Sequence, residues 1–291
     1  MSWLIIAFIS AMLSAASAIT QKKILFSVDA LGFSLMVSLF GCLFSLPFLL
    51  TVNFSAITAM AVAVLFIKSL LGSFAFFYVM QSIRNLELSG ALPLMALTPG
   101  LVAIFAFIIL GESLSGFEIA GIVLLASGTY LLETKGKAGL AEPFRVFVRS
   151  RNHHYVLIAL SLFTITSILD KMILKNYRLQ PEAFLVFQQF FFLLVFAVTY
   201  YFTRRSDNIC SGYNRNILLL IITVAVLTIG YRYTQVLAFR IAPIAVVLAV
   251  KRISVLFAVV IGGRIFKEHD LLKKTIATII IIIGAILISE E

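Results

Sequence analysis

The sequence has few charged residues and few of the side chains that most often carry enzyme chemistry. Only 12% of its 291 residues are charged, 62% are hydrophobic, and the mean hydropathy is +1.09. A water-soluble domain of this length cannot carry so apolar a composition, which indicates an integral membrane protein. The three histidines fall in predicted loops, and zinc-protease, phosphate-loop and serine-nucleophile motifs are missing. The sequence therefore predicts no enzyme, no cofactor and no metal site.

Cysteine is equally scarce. Cys42 lies in an apolar segment and Cys210 in a predicted loop, so no disulfide framework is implied. The net charge of +10 would suggest nucleic acid for a soluble protein, but here the basic residues are divided between loops and apolar segments. We therefore expect the lipid bilayer as a partner, and no nucleic acid.

Long apolar runs fill nearly the whole chain. A hydrocarbon core about 30 Å thick is crossed by about 20 helical residues, and none of the runs alternates apolar and polar positions as a barrel strand does. The first run is expected to stay uncleaved, because no positive charge precedes it and Lys22 and Lys23 follow it. We predict an all-α membrane protein with ten transmembrane helices, at residues 3–21, 31–50, 57–80, 89–109, 116–133, 155–173, 181–202, 215–238, 243–262 and 272–289.

A long polar connection near the midpoint separates two sets of five predicted helices. A shift of 156 residues places Arg84 on Arg240 and Gly128 on Gly284, which indicates an internal duplication. Because five is odd, the second copy is inverted in the membrane relative to the first, an arrangement usual in secondary transporters. The predicted units are a first five-helix repeat at 1–133, a basic linker at 134–154 and a second repeat at 155–289.

Lysines and arginines near the helix ends fall mostly on one side. Alternate loops carry fifteen on one side and four on the other, so the positive-inside rule places the fifteen in the cytoplasm. We call this side, which includes Lys22, Arg84 and the loops 134–154 and 263–271, the basic end. The prediction is a multi-pass protein of the cell membrane with these loops in the cytoplasm and both termini outside.

Four further cations lie inside predicted helices. Each charge at the bilayer centre costs about 2.5–3.5 kcal/mol, so something must offset them. Of the thirteen acids, only Glu87 and Asp170 are expected to come within reach of these cations. The remaining positive charges must then be offset by a bound anion or by water. The alternative, strongest for Arg232, is snorkelling to the interface. The four cations are Lys68, Arg232, Lys251 and Arg252.

Polar, aromatic and helix-breaking residues complete the predicted site. Pro99 would interrupt the fourth helix and free backbone carbonyls. The small polar residues on the first and sixth helices either line the cavity or only allow close helix packing. The further substrate-binding candidates are Tyr231, Tyr233, Gln188 and Ser254, and the gating or lining candidates are Tyr78, Gln81, Ser14, Ser17, Thr166 and Pro99.

The helix pattern, the Gly111-Glu112-Ser113 turn and its Lys267-Glu268 counterpart resemble the EamA branch of the drug/metabolite transporter superfamily. The stretch VKRISVLFAVV at 250–260 is similar to the Lys-Arg motif of triose-phosphate and related sugar-phosphate translocators. In that family the pair grips the substrate phosphate, so the resemblance implies this role for Lys251 and Arg252. Relatives commonly keep both ends in the cytoplasm, which is opposite to the charge bias of this chain.

These features predict a secondary transporter that moves a small organic solute by alternating access. The surplus of buried cations favours an anionic solute with phosphate or carboxylate groups. The alternatives are an amino-acid or drug/metabolite exporter of neutral substrates, a flippase for a lipid-linked phosphate, and a membrane scaffold without transport. Substrate identity, coupling ion, direction and oligomeric state stay open at this point.

Overall fold

The computed structural model describes residues 2–105, 115–134, 148–203, 213–241 and 244–289. Within these ranges the protein is helical and has no strands. The helices are α1 (Ser2–Leu25), α2 (Ala30–Ser45), α3 (Ala59–Asn85), α4 (Leu88–Met95), α5 (Thr98–Phe105), α6 (Gly116–Glu133), α7 (Arg151–Lys175), α8 (Pro181–Thr203), α9 (Arg215–Ile241), α10 (Ile244–Phe257) and α11 (Leu271–Ser289).

Eight helical segments of the described chain are long and apolar enough to cross a membrane. They coincide with the first, second, third, fifth, sixth, seventh, eighth and tenth predicted helices. Over the described residues, the predicted all-helical membrane fold is therefore confirmed. The fourth and ninth predicted helices differ from the rest, since each is built from shorter pieces.

The fourth predicted helix is broken between α4 and α5, where the Thr98-Pro99-Gly100 sequence favours a break. Pro99 has no N–H to donate to the carbonyl of Met95, four residues earlier. The Thr98 hydroxyl donates to that carbonyl instead, at 2.9 Å. Because Pro99 then stands in the first turn of α5, its missing donor is tolerated there.

The ninth predicted helix begins as α10 and changes its winding after the Lys-Arg pair. A π-helical turn at Ala258–Gly262 follows α10 directly, and a further helical turn at Gly263–Ile265 completes the segment. The start of α4 packs closely here, since a Cβ added to Gly262 would lie 2.5 Å from Leu88 Cδ2. The π-turn was not predicted, and Pro243, the first residue of the predicted range, lies outside the described residues.

The most extensive helix packing joins the two halves of the chain. α6 packs on α11, α3 on α7, α1 on α9 and α2 on α8. A hydrophobic core with Phe33, Met80 and Ile221 among its buried members runs between α2, α3 and α9. This cross-packing brings side chains of α3, α7, α9 and α10 together.

Candidate anion-binding site

The four predicted cations lie at a similar depth. Lys68 is nine residues from the start of α3, Arg232 nine residues from the end of α9, and Lys251 seven residues from the start of α10. At 1.5 Å per residue these separations are about 10–14 Å. These helix ends lie on one side of the protein, opposite the basic end. We call this side the far end; it includes Asn53, whose backbone N–H donates to Gln180 Oε1 at 3.0 Å.

Lys68 forms an ion pair between α3 and α7. Its Nζ lies 3.0 Å from Asp170 Oδ1, and it also stands 4.6 Å from the centroid of the Phe184 ring on α8. The Lys68 side chain is 3% exposed and that of Asp170 is 31% exposed. Asp170 therefore reaches one deep cation, within the one or two that the sequence led us to expect.

Lys251 and Arg232 share the ring of Tyr231. Lys251 Nζ lies 4.8 Å and Arg232 Cζ 5.8 Å from its centroid, so both cations face the negative side of one aromatic ring. Lys251 also donates to Gln235 Oε1. The backbone carbonyl of Tyr231 accepts from the Ser10 hydroxyl at 2.7 Å, which holds α9 against α1. Neutral partners therefore position these two cations.

Arg252 has no hydrogen bond or ion pair with any described residue, and no described carboxylate lies within ion-pair distance of Lys251. The charges of Arg232 and Arg252 both act on Lys251, as does Asp170 with the opposite sign. Four cations against this one carboxylate leave three positive charges unmatched within the described chain. The arrangement can hold a negatively charged group.

The polar residues on the first and sixth predicted helices, which were predicted to line the cavity, mostly make contacts within and between helices. Ser17 Oγ lies 3.4 Å from Thr228 Oγ1, and Gln21 donates to Ser17 at 3.0 Å. Ser14 is partly exposed, and the Thr166 hydroxyl donates to the carbonyl of Phe163 at 3.1 Å. Ser17 fits the close-packing alternative, while a lining role for Ser14, Thr166 and Pro99 stays a prediction.

The other substrate-binding candidates lie on α8, α9 and α10. Tyr233 packs on Phe48, with ring centroids 4.8 Å apart, on a different side of α9 from the Tyr231 ring. Gln188 and Ser254 are buried on α8 and α10. No hydrogen bond between described residues joins either of them to the four cations. Their contact with a substrate stays a prediction.

Tyr78 and Gln81, the predicted gate residues, lie elsewhere. Both line a cavity of about 390 Å³ at the basic end, between α2, α3 and α8. The Tyr78 ring also stacks on Tyr155 at 5.7 Å. None of the four cations lines this cavity. The structure therefore separates these two residues from the candidate anion-binding site.

Two carboxylates, Glu87 and Glu268, hold the basic end together, although the sequence led us to expect Glu87 near a deep cation. Glu268 accepts hydrogen bonds from the backbone N–H groups of Leu88 at 2.6 Å and Ser89 at 2.8 Å, and so caps the N-terminus of α4. Glu87, the residue before α4, contacts His269 at 3.0 Å and pairs with Lys274. We call Glu87, Glu268, His269 and Lys274 the basic-end clamp, because it ties the first half to the second.

Comparison with known proteins matches the first half of the chain to a transporter family. Residues 1–134 match the model of the EamA-like transporter family. The first half of this chain is EamA-like. The predicted EamA resemblance is thereby confirmed, and with its apolar helices the protein is a membrane transporter of the drug/metabolite type. A match of the first half to a transporter family is consistent with the expectation that the protein is no enzyme.

Solved structures show the fold over nearly the whole length of this EamA-like chain. A crystal structure described only as that of a protein matches 98% of this chain and 96% of its own, with 14% sequence identity and a TM-score of 0.66. At this identity the likeness shows the fold alone. No curated protein matches the chain.

Proposed function

We propose that this EamA-like protein is a secondary transporter for a small organic anion bearing phosphate or carboxylate groups. The observation that carries the proposal is the surplus of positive charge at one depth, with Arg252 unpaired among the described residues. Buried charges persist where something offsets them, and a bound anion supplies that offset.

Lys251 and Arg252 are the proposed primary ligands. Neighbouring residues on a helix point about 100° apart, so the two grip different oxygens of one anionic group. Arginine presents several N–H donors in a plane, which suits phosphate and carboxylate, while lysine acts as a point charge. Arg232 adds a third cation beside Tyr231. Lys68, which is paired with Asp170, is the fourth cation of the proposed site. Tyr233, Gln188 and Ser254 are proposed to face the organic part of the solute.

The crossing of α6 and α11 supports two inverted repeats. A Cβ added to Gly121 would lie 2.7 Å from the carbonyl oxygen of Gly284, and one added to Gly128 would lie 3.0 Å from that of Ala277. A shift of 156 residues maps Gly121 onto Ala277 and Gly128 onto Gly284. The same shift therefore turns each of these two contacts into the other. Such reciprocal contacts are those of a two-fold interface.

We infer from this symmetry a ten-helix architecture, with repeats at 1–133 and 155–289 and the linker 134–154 between them. The family match over residues 1–134 supports the first boundary. The two halves then rock around the anion, as in other inverted-repeat transporters. In the present conformation the clamp joins the halves at the basic end, so access from that end requires Glu87 and Glu268 to release their partners. The charge bias supports a cytoplasmic basic end and termini outside.

The test is a thermal-shift screen of the purified protein against phosphorylated metabolites, carboxylates, neutral amino acids and cations. A ligand that binds the folded state raises its stability by mass action, so anions should raise the melting temperature. The Arg252→Gln variant should lose the shift, and Arg264→Gln should keep it, because Arg264 is exposed at the basic end.

Each alternative predicts a different outcome. An exporter of neutral substrates would be stabilised by neutral solutes equally in wild type and Arg252→Gln. A flippase would respond to lipid-linked phosphates and not to water-soluble ones. A scaffold would respond to no solute, and stabilisation by cations alone would overturn the anion proposal.

A further inference from the structure

Gln235 is a buried glutamine beside the candidate anion-binding site. It lies on α9 three residues after Arg232 and four after Tyr231, so it shares a helix face with them. Its side chain is 6% exposed, and its Oε1 accepts a hydrogen bond from Lys251. We propose that Gln235 donates through Nε2 to the acidic group of the solute, and that the site selects a fully ionised group. This inference rests on the proposed function and narrows its substrate class.

The contact with Lys251 fixes the orientation of the Gln235 amide. A lysine ammonium can only donate, so the amide atom that faces it is the oxygen. The two N–H groups of Nε2 then point away from the ammonium but stay close to it, because both amide atoms are bonded to one carbon. Nε2 makes no hydrogen bond with a described residue and is not fully enclosed by them. Buried N–H groups usually have a partner, and a bound solute can supply one here.

The three proposed ligands of the acidic group can donate but not accept. Lys251 and Arg252 have no acceptor atom, and the Gln235 oxygen is already used by Lys251. Asp170, whose charge acts on Lys251, is paired with Lys68 instead. A solute oxygen that still carries a proton would set one donor against others and leave its own hydrogen bond unmade. The site therefore favours an acidic group without a proton.

Acidic groups differ in whether they keep a proton. A carboxylate carries none near neutral pH, and a phosphate monoester carries none once it has passed its second pKa of about 6. Inorganic phosphate, in contrast, keeps a hydroxyl proton as the hydrogen phosphate dianion. The acidic group of the solute is then a carboxylate or a doubly ionised phosphate ester. Free inorganic phosphate is a poor substrate and a poor exchange partner.

Titration calorimetry with inorganic sulfate and inorganic phosphate tests the proposal. At slightly alkaline pH both are dianions of the same shape, and only phosphate carries a proton. We expect the wild-type protein to bind sulfate about tenfold more tightly, the factor that one unsatisfied donor of about 1.4 kcal/mol would cause. Gln235→Glu replaces the amide donor with an acceptor. The variant should bind both anions more weakly, because the new carboxylate pairs with Lys251, but its preference should turn toward phosphate.

Two further variants complete the test. Gln81→Glu adds the same charge in the separate cavity at the basic end, so it should keep the wild-type ratio of the two affinities. Gln235→Met has neither donor nor acceptor and should reduce the preference for sulfate, and melting curves confirm that each variant is folded.

The outcomes separate this inference from the proposed function. Equal affinity of the wild-type protein for sulfate and phosphate, or a ratio that neither Gln235 variant changes, would overturn the inference while the anion proposal stands. A wild-type protein that binds neither anion would contradict the proposed function, and the inference with it.

Discussion

The two ends of this transporter use charge in opposite ways. At the basic end, Glu87 and Glu268 meet a lysine, a histidine and two backbone N–H groups, all from the other half of the chain. Nearer the far end, four cations meet one carboxylate within the described residues. Charges that find partners inside the protein fasten its halves together. Charges that lack such partners are available to a ligand.

The largest expected effect comes from removing the unmatched cations. Lys251→Gln or Arg252→Gln should each weaken anion binding about ten- to hundred-fold, the value of one or two charge-assisted hydrogen bonds. Folding should be unaffected or slightly improved, since mutual repulsion falls. Binding is measured by titration calorimetry, and transport by uptake into proteoliposomes.

Lys23→Gln is the control for these variants. Lys23 is exposed at the end of α1, so its removal takes away the same charge without touching the candidate site. If Lys23→Gln weakens binding as much as Lys251→Gln, then long-range charge and not local contact attracts the anion, and the comparison between the two ends fails.

The next effect separates the one matched deep cation from the others. Asp170→Asn leaves the buried Lys68 ammonium unpaired. Breaking a fully buried ion pair in this way lowers the free energy of unfolding by about 3–5 kcal/mol. We expect a loss of about 1–3 kcal/mol here, because Asp170 is partly exposed. The same variant adds a fourth unmatched charge, so anion affinity should rise. Denaturant or thermal unfolding gives the stability change.

Lys68→Gln sharpens this prediction. It should cost less stability than Asp170→Asn, because the Asp170 carboxylate keeps the favourable influence of Lys251. The double variant should recover part of the loss seen in Asp170→Asn. Equal and additive losses in both single variants would show that the pair is not coupled.

The smallest effect concerns the clamp. Glu268→Gln weakens the cap of α4 and should lower the free energy of unfolding by about 1–2 kcal/mol, as for other lost N-caps. Anion affinity should change little. In the control, Glu118→Gln, the capping box of α6 survives, because glutamine also serves at that position. A large loss of anion affinity in Glu268→Gln would mean that the two ends are not independent.

Local chemistry explains which features the sequence could predict. Helix length follows from apolar run length, and Thr98-Pro99 marks a break because proline lacks a donor. The depth of Lys68 and Lys251 follows from counting along a helix. These are properties of neighbouring residues, and they need no knowledge of tertiary contacts.

Contacts between distant residues were beyond such reasoning. Glu268 and Leu88 are 180 residues apart, and no local pattern shows that a carboxylate after α10 caps α4. The Tyr231 ring beneath Lys251 and the separate cavity at Tyr78 likewise depend on helix rotation and packing. Glu87 was noticed only as an acid that might approach a deep cation, whereas it pairs with Lys274 at the basic end.

The most direct test is a crystal structure of the protein soaked with selenate, whose anomalous scattering locates the anion. The account predicts a peak at the depth of Lys251 and Arg252, within hydrogen-bond distance of both side chains, that disappears in the Arg252→Gln variant. The contrary result is a map without a peak there, in which Arg252 and Lys251 are each paired with a carboxylate of the protein or extended toward the lipid headgroups.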